Sequence, residues 1–318
     1  DKWGGKYLRS PEIFFTVFRK GEPFLRKFKK YFSGERYLNT GGADGFFIFT
    51  DFAEKGDIFS VRNEKTLNGT DGYEGVIESE YLVDLIKDVT KKKKNIVIEC
   101  SDAKCLVIPN EKILSKNLLD YVKWGEKEGY DKRSVTKQQN PWYKPTRQML
   151  RGADVLLPRS FGETFVIHYN PKKLISLRFY RLHSYDPEKT EVLVAYMNTT
   201  LHWLIFEALG NKSQGQGVLD FYMDDFLRQE VPVILDSELP KALDFMKRRE
   251  IGTIFQECGI DPKSKTPIEE QEPNPLPDRA VLDKIVFDAL DLSEDERKDV
   301  YRAVCRLVWN RISKAKSV

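Results

Sequence analysis

Asn140-Pro141-Trp142-Tyr143 is the stretch whose residue types come nearest to chemistry. In an Asn/Asp-Pro-Pro-aromatic tetrapeptide, the Asn side chain and a backbone carbonyl can hold the exocyclic amine of a base swung out of its duplex, and the aromatic ring stacks on that base. The chemistry would be group transfer to the amine. Such a tetrapeptide follows a buried apolar strand. Here it follows Lys132-Arg133-Ser134-Val135-Thr136-Lys137-Gln138-Gln139, which is too polar for one, and the second Pro is missing. The residues therefore point to an aromatic pair on a basic loop.

The charge distribution gives that loop a use. Residues 132–153 hold six Lys/Arg and no acid, residues 164–185 hold four and no acid, and residues 1–33 hold nine against three acids. The balancing acids gather in 186–310, so the net charge is only +3. Basic patches with an acidic back are the electrostatic footprint of a nucleic-acid binder, although solvated surface clusters would look alike. Trp142, Tyr143, Phe161, Tyr169, Phe179 and Tyr180 interleave with the basic residues. The candidate DNA-contacting residues are Lys132, Arg133, Lys137, Gln138, Gln139, Trp142, Tyr143, Arg147 and Arg151, then Arg159, Arg178, Lys212 and Gln214. Lysines would position the phosphate backbone, and Arg or Gln could pair with base edges in the major groove.

Other chemistries find less support. Cys100, Cys105, Cys258 and Cys305 are too scattered for a disulfide framework, although Cys100 and Cys105 could meet across a hairpin. No second Cys/His pair follows at zinc-ligand spacing. His168, His183 and His202 sit in apolar or aromatic surroundings and read as structural. No apolar run approaches membrane-spanning length and no signal peptide is visible, which leads to the expectation of a cytoplasmic protein with no membrane partner. Asp1 in place of an initiating Met leads to the expectation of a longer parent.

The elements that must position these residues read as α+β. Residues 5–33 are a basic, aromatic-rich helical lead-in interrupted at Gly21. Phe46 to Phe49 read as a short buried strand after a glycine turn. Residues 56–110 alternate β-prone pieces with turns, a mixed and mainly antiparallel region. A helix over 111–128 stops at Gly129, and a long one runs over 189–209 to Gly210. Five prolines in 261–278 read as a connector. Helices over 278–290 and 293–315 follow, the second opened by the capping box Ser293-Glu-Asp-Glu296. The expected domains are a lead-in at 1–36, a recognition domain at 37–240, a connector at 241–278 and a helix pair at 279–318.

Several blocks resemble one family in colinear order. Asp1 to Arg9 and Pro11 to Phe15 resemble the segment that leaves the catalytic domain of adenine-N6 DNA methyltransferases of type I-like and type IIG restriction–modification systems. Thr40-Gly41-Gly42-Ala43-Asp44-Gly45-Phe46-Phe47 is similar to the opening of their TaqI-like target-recognition domain, with Asp44 where the family has Asn. Tyr121 to Tyr130, Trp142-Tyr143, Ala153 to Phe161, Arg178-Phe179-Tyr180, Ala195 to Leu201, Val218 to Asp220 and Pro232-Val233 follow. The family's S-adenosylmethionine turn and true Asn-Pro-Pro-Tyr are missing. The resemblance therefore implies a recognition module that grips duplex DNA, with no catalytic residue and no cofactor in this chain. S-adenosylmethionine would sit in an N-terminal catalytic domain of the same polypeptide. The rival is a specificity subunit that docks a separate methylase through its C-terminal helices, and a specificity or restriction subunit is a further expected partner. A self-sufficient methyltransferase or nuclease, and a purely structural module, find less in the residues.

Overall fold

The computed structural model describes residues 10–64, 66, 67, 69, 71–87, 94–109, 114–211 and 217–316. Ile13, Phe14 and Val17 recur at helical spacing and bury one stripe of α1 (Glu12–Lys20), which Gly21 ends. The short β1 (Leu25–Lys27) and β2 (Phe32–Glu35) follow. The chain then builds α2 (Asp44–Phe47), β3 (Ile48–Phe49), β4 (Asp51–Lys55), β5 (Ile58–Asn63), β6 (Tyr73–Glu78), β7 (Leu82–Ile86), β8 (Ala103–Leu106), α3 (Lys116–Glu128) and α4 (Arg147–Leu150). Next come β9 (Val155–Leu157), β10 (Ser160–Phe161), β11 (His168–Tyr169), β12 (Ile175–Ser176), β13 (Tyr180–Ser184), α5 (Pro187–Met197) and α6 (Thr200–Leu209). The rest is β14 (Leu219–Asp220), α7 (Met223–Arg228), β15 (Glu230–Pro232), α8 (Leu239–Met246), α9 (Ile254–Cys258), α10 (Pro277–Ala289) and α11 (Glu294–Lys316). The fold is α+β, as the alternation of short β pieces and helical stretches predicts.

Its strands form separate small sheets. β4, β5 and β6 make an antiparallel meander. The order β12-β7-β8-β3 makes a mixed sheet, parallel only between β12 and β7. The order β11-β9-β13-β2 is antiparallel throughout.

Two apolar clusters organise these pieces. The smaller, β-rich one uses residues between Leu38 and Met149, with Ile175 and Leu177 dipping back into it. The larger, helix-rich one joins α1, Phe28, Phe32 and Ile96 to residues from Val155 to Ile312. A third, small cluster, Ile86, Ile98, Ala153, Leu156, Leu174 and Phe179, completes the described core.

This division differs from the one composition suggests. From residue 10 on, the lead-in packs as core: α1 lies in the large cluster, and Lys20 binds the Glu296 carboxylate at 2.7 Å. The first half of the expected connector is core as well, since Ile251, Ile254, Phe255 and Ile260 are buried in the same cluster. The Pro-rich 261–278 itself runs mostly exposed, held by buried Ile268 and by Leu276 N, which donates to Glu257 O at 3.0 Å.

Other local expectations change too. The helix over 189–209 is two helices, α5 and α6, bent by 74°. Asn198 breaks it: its side chain accepts from Ile167 N at 3.1 Å and donates to Ile167 O at 2.9 Å, a tertiary partner that local sequence does not show. Thr199 then caps α6 by accepting from His202 N at 3.2 Å. Phe46 and Phe47 lie on one helical turn, and only Ile48 and Phe49 are strand. Residues 95–98 contribute a bridge from Val97 to Tyr169 and no strand. Cys100 is exposed and Cys105 buried, and both are free thiols, so they do not meet. No helix among the described residues is long and apolar enough to cross a membrane.

Candidate nucleic-acid interface

The basic segment 130–151 is a chain of short turns pinned at three points. Tyr130 is buried in the small core. Thr136 is buried and its Oγ1 donates to Tyr130 O at 2.5 Å. Trp142 lays its ring on Phe46, centroids 4.5 Å apart, and its Nε1 donates to Glu126 Oε1 at 3.0 Å. Gly125 makes that approach possible, because a Cβ there would stand 2.6 Å from the Phe46 ring and 2.9 Å from Trp142. Tyr143 meets Trp142 edge-on at 5.7 Å. Trp142 and Tyr143 are thus half-buried anchors of the segment, and one face of the indole is already covered.

The glycine loop packs under this segment. Gly41 has φ 64°, and a Cβ there would stand 2.5 Å from Val135 Cγ2. Its carbonyl accepts from Ser134 Oγ at 3.1 Å. Thr40 Oγ1 hydrogen-bonds the Asp44 carboxylate, which stands 3.9 Å from Arg178 Nη2. On its Gly41 side the loop is packed by Val135 and Ser134.

The candidate side chains are in unequal states. Lys132 and Lys137 are exposed. Gln138 Nε2 donates to Ser134 O at 2.6 Å, and the Gln139 amide, turned to satisfy its neighbours, donates to Trp142 O at 3.1 Å and Lys144 O at 2.7 Å. Arg147 Nε lies 3.2 Å from Glu35 Oε1. Arg133 and Arg151 have no salt-bridge partner among the described residues. Arg159 is exposed just past β9. Lys212 and Gln214 lie outside the described residues. Asn140 is exposed on a turn that no strand precedes.

Glu35 organises a second layer that the sequence does not mark. It faces Arg181 across the β2–β13 ladder. Its Oε2 is 3.7 Å from Arg181 Nη1 and 3.3 Å from His183 Nε2, the latter without hydrogen-bond alignment. Arg181 is fully buried, and its Nη1 donates to Gln148 O at 2.9 Å, which ties the basic segment to the large sheet. Burial pushes the His183 imidazole pKa down, Arg151 adds to that, and Glu35 opposes it. Arg181 Nε and Nη2 and both His183 ring nitrogens have no hydrogen-bond partner.

Arginines occupy the seam between the two cores. Five fully described stretches pass between them: Phe32 to Leu38, Ile96 to Ala103, Met149 to Val155, Ile167 to Ile175 and Leu177 to Tyr180. Arg36, Arg151 and Arg178 lie exposed on the first, third and fifth, whereas the second carries Glu99 and Asp102 and the fourth Lys172 and Lys173. Arg36 had no sequence signal, since a crossing exists only in three dimensions. Arg36 and Arg151, without salt-bridge partners among the described residues, can therefore offer guanidinium groups to an extended anion, while Arg178 faces Asp44 at 3.9 Å. Among the described residues, no cluster of His, Cys, Asp or Glu could hold a metal ion.

Residues 2–259 match the family model described as type II methyltransferase M.Eco57I, C-terminal domain. No curated protein matches the chain in sequence. Among solved structures, the chain is similar to the type IIG restriction endonuclease BpuSI, at TM-score 0.59 and 12% identity. That likeness covers 98% of this chain and 34% of the BpuSI chain, so the present chain spans about a third of that neighbour.

Proposed function

We propose that this chain, which belongs to the family of the type II methyltransferase M.Eco57I C-terminal domain, is the DNA target-recognition part of a site-specific adenine-N6 methyltransferase of a restriction–modification system. It grips duplex DNA and reads its sequence in the cytoplasm. A separate catalytic domain of the same polypeptide binds S-adenosylmethionine and transfers the methyl group. The single observation that supports this best is the acid-free segment 132–153 together with exposed Arg36, Arg151 and Arg178 on stretches that pass between the two cores. Arginine on a rigid scaffold suits both phosphate and base-edge contacts.

The rival reading has the C-terminal helices as a docking surface for a separate methylase. Its support weakens because Leu282, Val286, Val300, Val304 and Val308, the apolar faces of α10 and α11, are buried in the chain's own large core.

Gel retardation of duplex DNA across a salt series tests the reading. With four to six phosphates contacted, log K should fall against log salt at a slope of roughly −4 to −5. A flat response, or no retarded duplex at low salt, overturns it.

A further inference from the structure

One cavity stands beside the seam. The β2–β13 ladder places Arg36 at the position opposite Tyr180, one step beyond the Arg181–Glu35 pair. β9 ends beside them, and Pro158 leads out to Arg159, whose carbonyl accepts from Phe221 N at 3.1 Å. Phe221 brings Tyr222 alongside. The result is a cavity of about 380 Å³ lined by Arg36, Tyr37, Arg159, Tyr180 and Tyr222, with Asp224 and Asp225 also contributing. That volume falls within the roughly 300–1,000 Å³ range of ligand pockets.

Its chemistry is mixed in a specific way. The Tyr37 and Tyr180 rings stand 6.4 Å apart. Tyr222 is 52% exposed, so its ring is open to a ligand at the cavity mouth. Neither Arg36 nor Arg159 has a salt-bridge partner among the described residues, although two carboxylates line the same cavity. Aromatic faces take a planar ring, carboxylates accept from amino and imino N–H groups, and free guanidinium groups take a phosphate. A nucleotide carries all three features in one molecule.

We propose that this cavity is a binding site for a single nucleotide, with its base against the tyrosines and its phosphate on Arg36 and Arg159. The inference rests on the nucleic-acid reading above for the source of that nucleotide, which is either free in solution or everted from a DNA strand. Eversion is easiest for a mismatched base, whose pairing is already weak.

The test titrates the full chain by calorimetry with deoxyadenosine monophosphate and, separately, with inorganic phosphate. A parallel arm uses a duplex carrying a mismatched 2-aminopurine, and gel retardation of plain duplex runs on the same preparation. The nucleotide should bind at least about ten-fold more tightly than phosphate, and Tyr222→Ala should remove about that factor. Arg159→Gln should remove a similar factor, since a charge-assisted contact is lost. Both side chains are exposed, so folding is kept, and Tyr222→Phe should restore nucleotide affinity.

Nucleotide binding no tighter than phosphate binding, or indifferent to both substitutions, overturns the proposal. Retarded plain duplex in that case leaves the recognition reading standing, and absence of retardation at low salt overturns that reading instead. A 2-aminopurine fluorescence rise that Tyr222→Ala abolishes assigns the site to an everted nucleotide. Tyr222-dependent nucleotide binding without that rise assigns it to a free one.

Discussion

Charge is handled differently in the helical core and at the seam. In the large core, Glu257 is fully buried. Its Oε1 accepts from Arg249 Nη1 at 2.6 Å and Gly252 N at 2.8 Å. Its Oε2 accepts from Arg249 Nη2 at 2.9 Å and Arg279 Nε at 3.1 Å. Asp278 takes the other edge of Arg249, and the Arg279 guanidinium lies 4.4 Å from the Trp203 ring centre. Thr200 donates to Asp283 through its backbone N at 2.7 Å and its Oγ1 at 2.6 Å. At the seam, Arg181 leaves two guanidinium nitrogens unmatched and His183 both ring nitrogens. Each unmatched buried group costs about 1–3 kcal/mol. The difference separates a charge network in which only Arg279 Nη2 lacks an aligned partner from a buried Arg181–His183 pair that is left largely unmatched.

The largest expected effect tests the first half of that contrast. Glu257→Ala removes the carboxylate that accepts from buried Arg279 Nε, at a cost of about 3–5 kcal/mol. The melting temperature should drop by roughly ten degrees in calorimetry. Arg147→Ala, at an exposed side chain, should change stability by less than about 0.5 kcal/mol. Equal losses from the two would end the comparison. Burial raises the Glu257 pKa, yet Arg249 and Arg279 outweigh it and hold the carboxyl below its usual value. Its stabilisation is therefore present above about pH 4.3 and is lost as pH falls through the folded value.

Acid should act on the large core next. All three histidines belong to it in sequence, and residues 38–149 contain none. Burial lowers His168 to about 4, with its hydrogen bond to Asn95 O opposing, and lowers His202 to about 3. Both stay neutral when folded and take up a proton once unfolded. Their contribution is complete above about pH 6.5 and falls as pH drops toward the folded values, by on the order of 2 kcal/mol each at pH 5. Amide hydrogen exchange at pH 7 and pH 5 reads this out. Protection should fall in β9, β13 and α6 while β5 and β6 hold theirs. A parallel fall in both would show that the two cores unfold as one unit.

Trp142→Ala probes the join between the small core and the basic segment. It removes the ring over Phe46 and the hydrogen bond to Glu126, a loss of about 3 kcal/mol. Because Trp142 pins the segment, DNA affinity should fall in the same variant, measured by retardation at a temperature where the chain stays folded. Retained affinity would mean that the segment needs no anchor.

How much of this could be read beforehand depends on where each signal lives. The Ser293–Glu296 capping box forms as its spacing predicts, with Glu296 N donating to Ser293 Oγ at 3.3 Å and Ser293 N to Glu296 Oε2 at 2.7 Å. Gly129 ends α3 at φ 82°, also local information. The break at Asn198 was hidden because its partner, Ile167, is distant in sequence. Prolines in 261–278 mark a stretch that does run mostly exposed, whereas the packing of 241–260 was hidden because composition does not reveal a receiving surface. The segment 132–153 was legible as charge, whereas the Trp142 anchor, Arg36 and the Glu35–Arg181–His183 layer depend on how two cores meet.

The smallest expected effect sharpens the seam itself. Among the Arg and Gln candidates, Gln138 and Gln139 already bond to carbonyls of their own loop, and Arg147 is held by Glu35. A base edge must displace those bonds before it gains anything. Arg133 and Arg151 have no such partner to lose. A paired contact to a base edge is worth about 1–3 kcal/mol of discrimination. In the proposed parent methyltransferase, Arg133→Ala or Arg151→Ala should therefore relax the preference at one base position, read by sequencing methylated sites. Lys132→Ala and Lys137→Ala should weaken binding evenly over all sequences, since an ammonium gives phosphate only a point charge. Gln138→Ala and Gln139→Ala should leave the site preference nearly as it was. If the two glutamines relax it and the two arginines do not, the loop rearranges on DNA and the resting hydrogen bonds do not mark which side chains read.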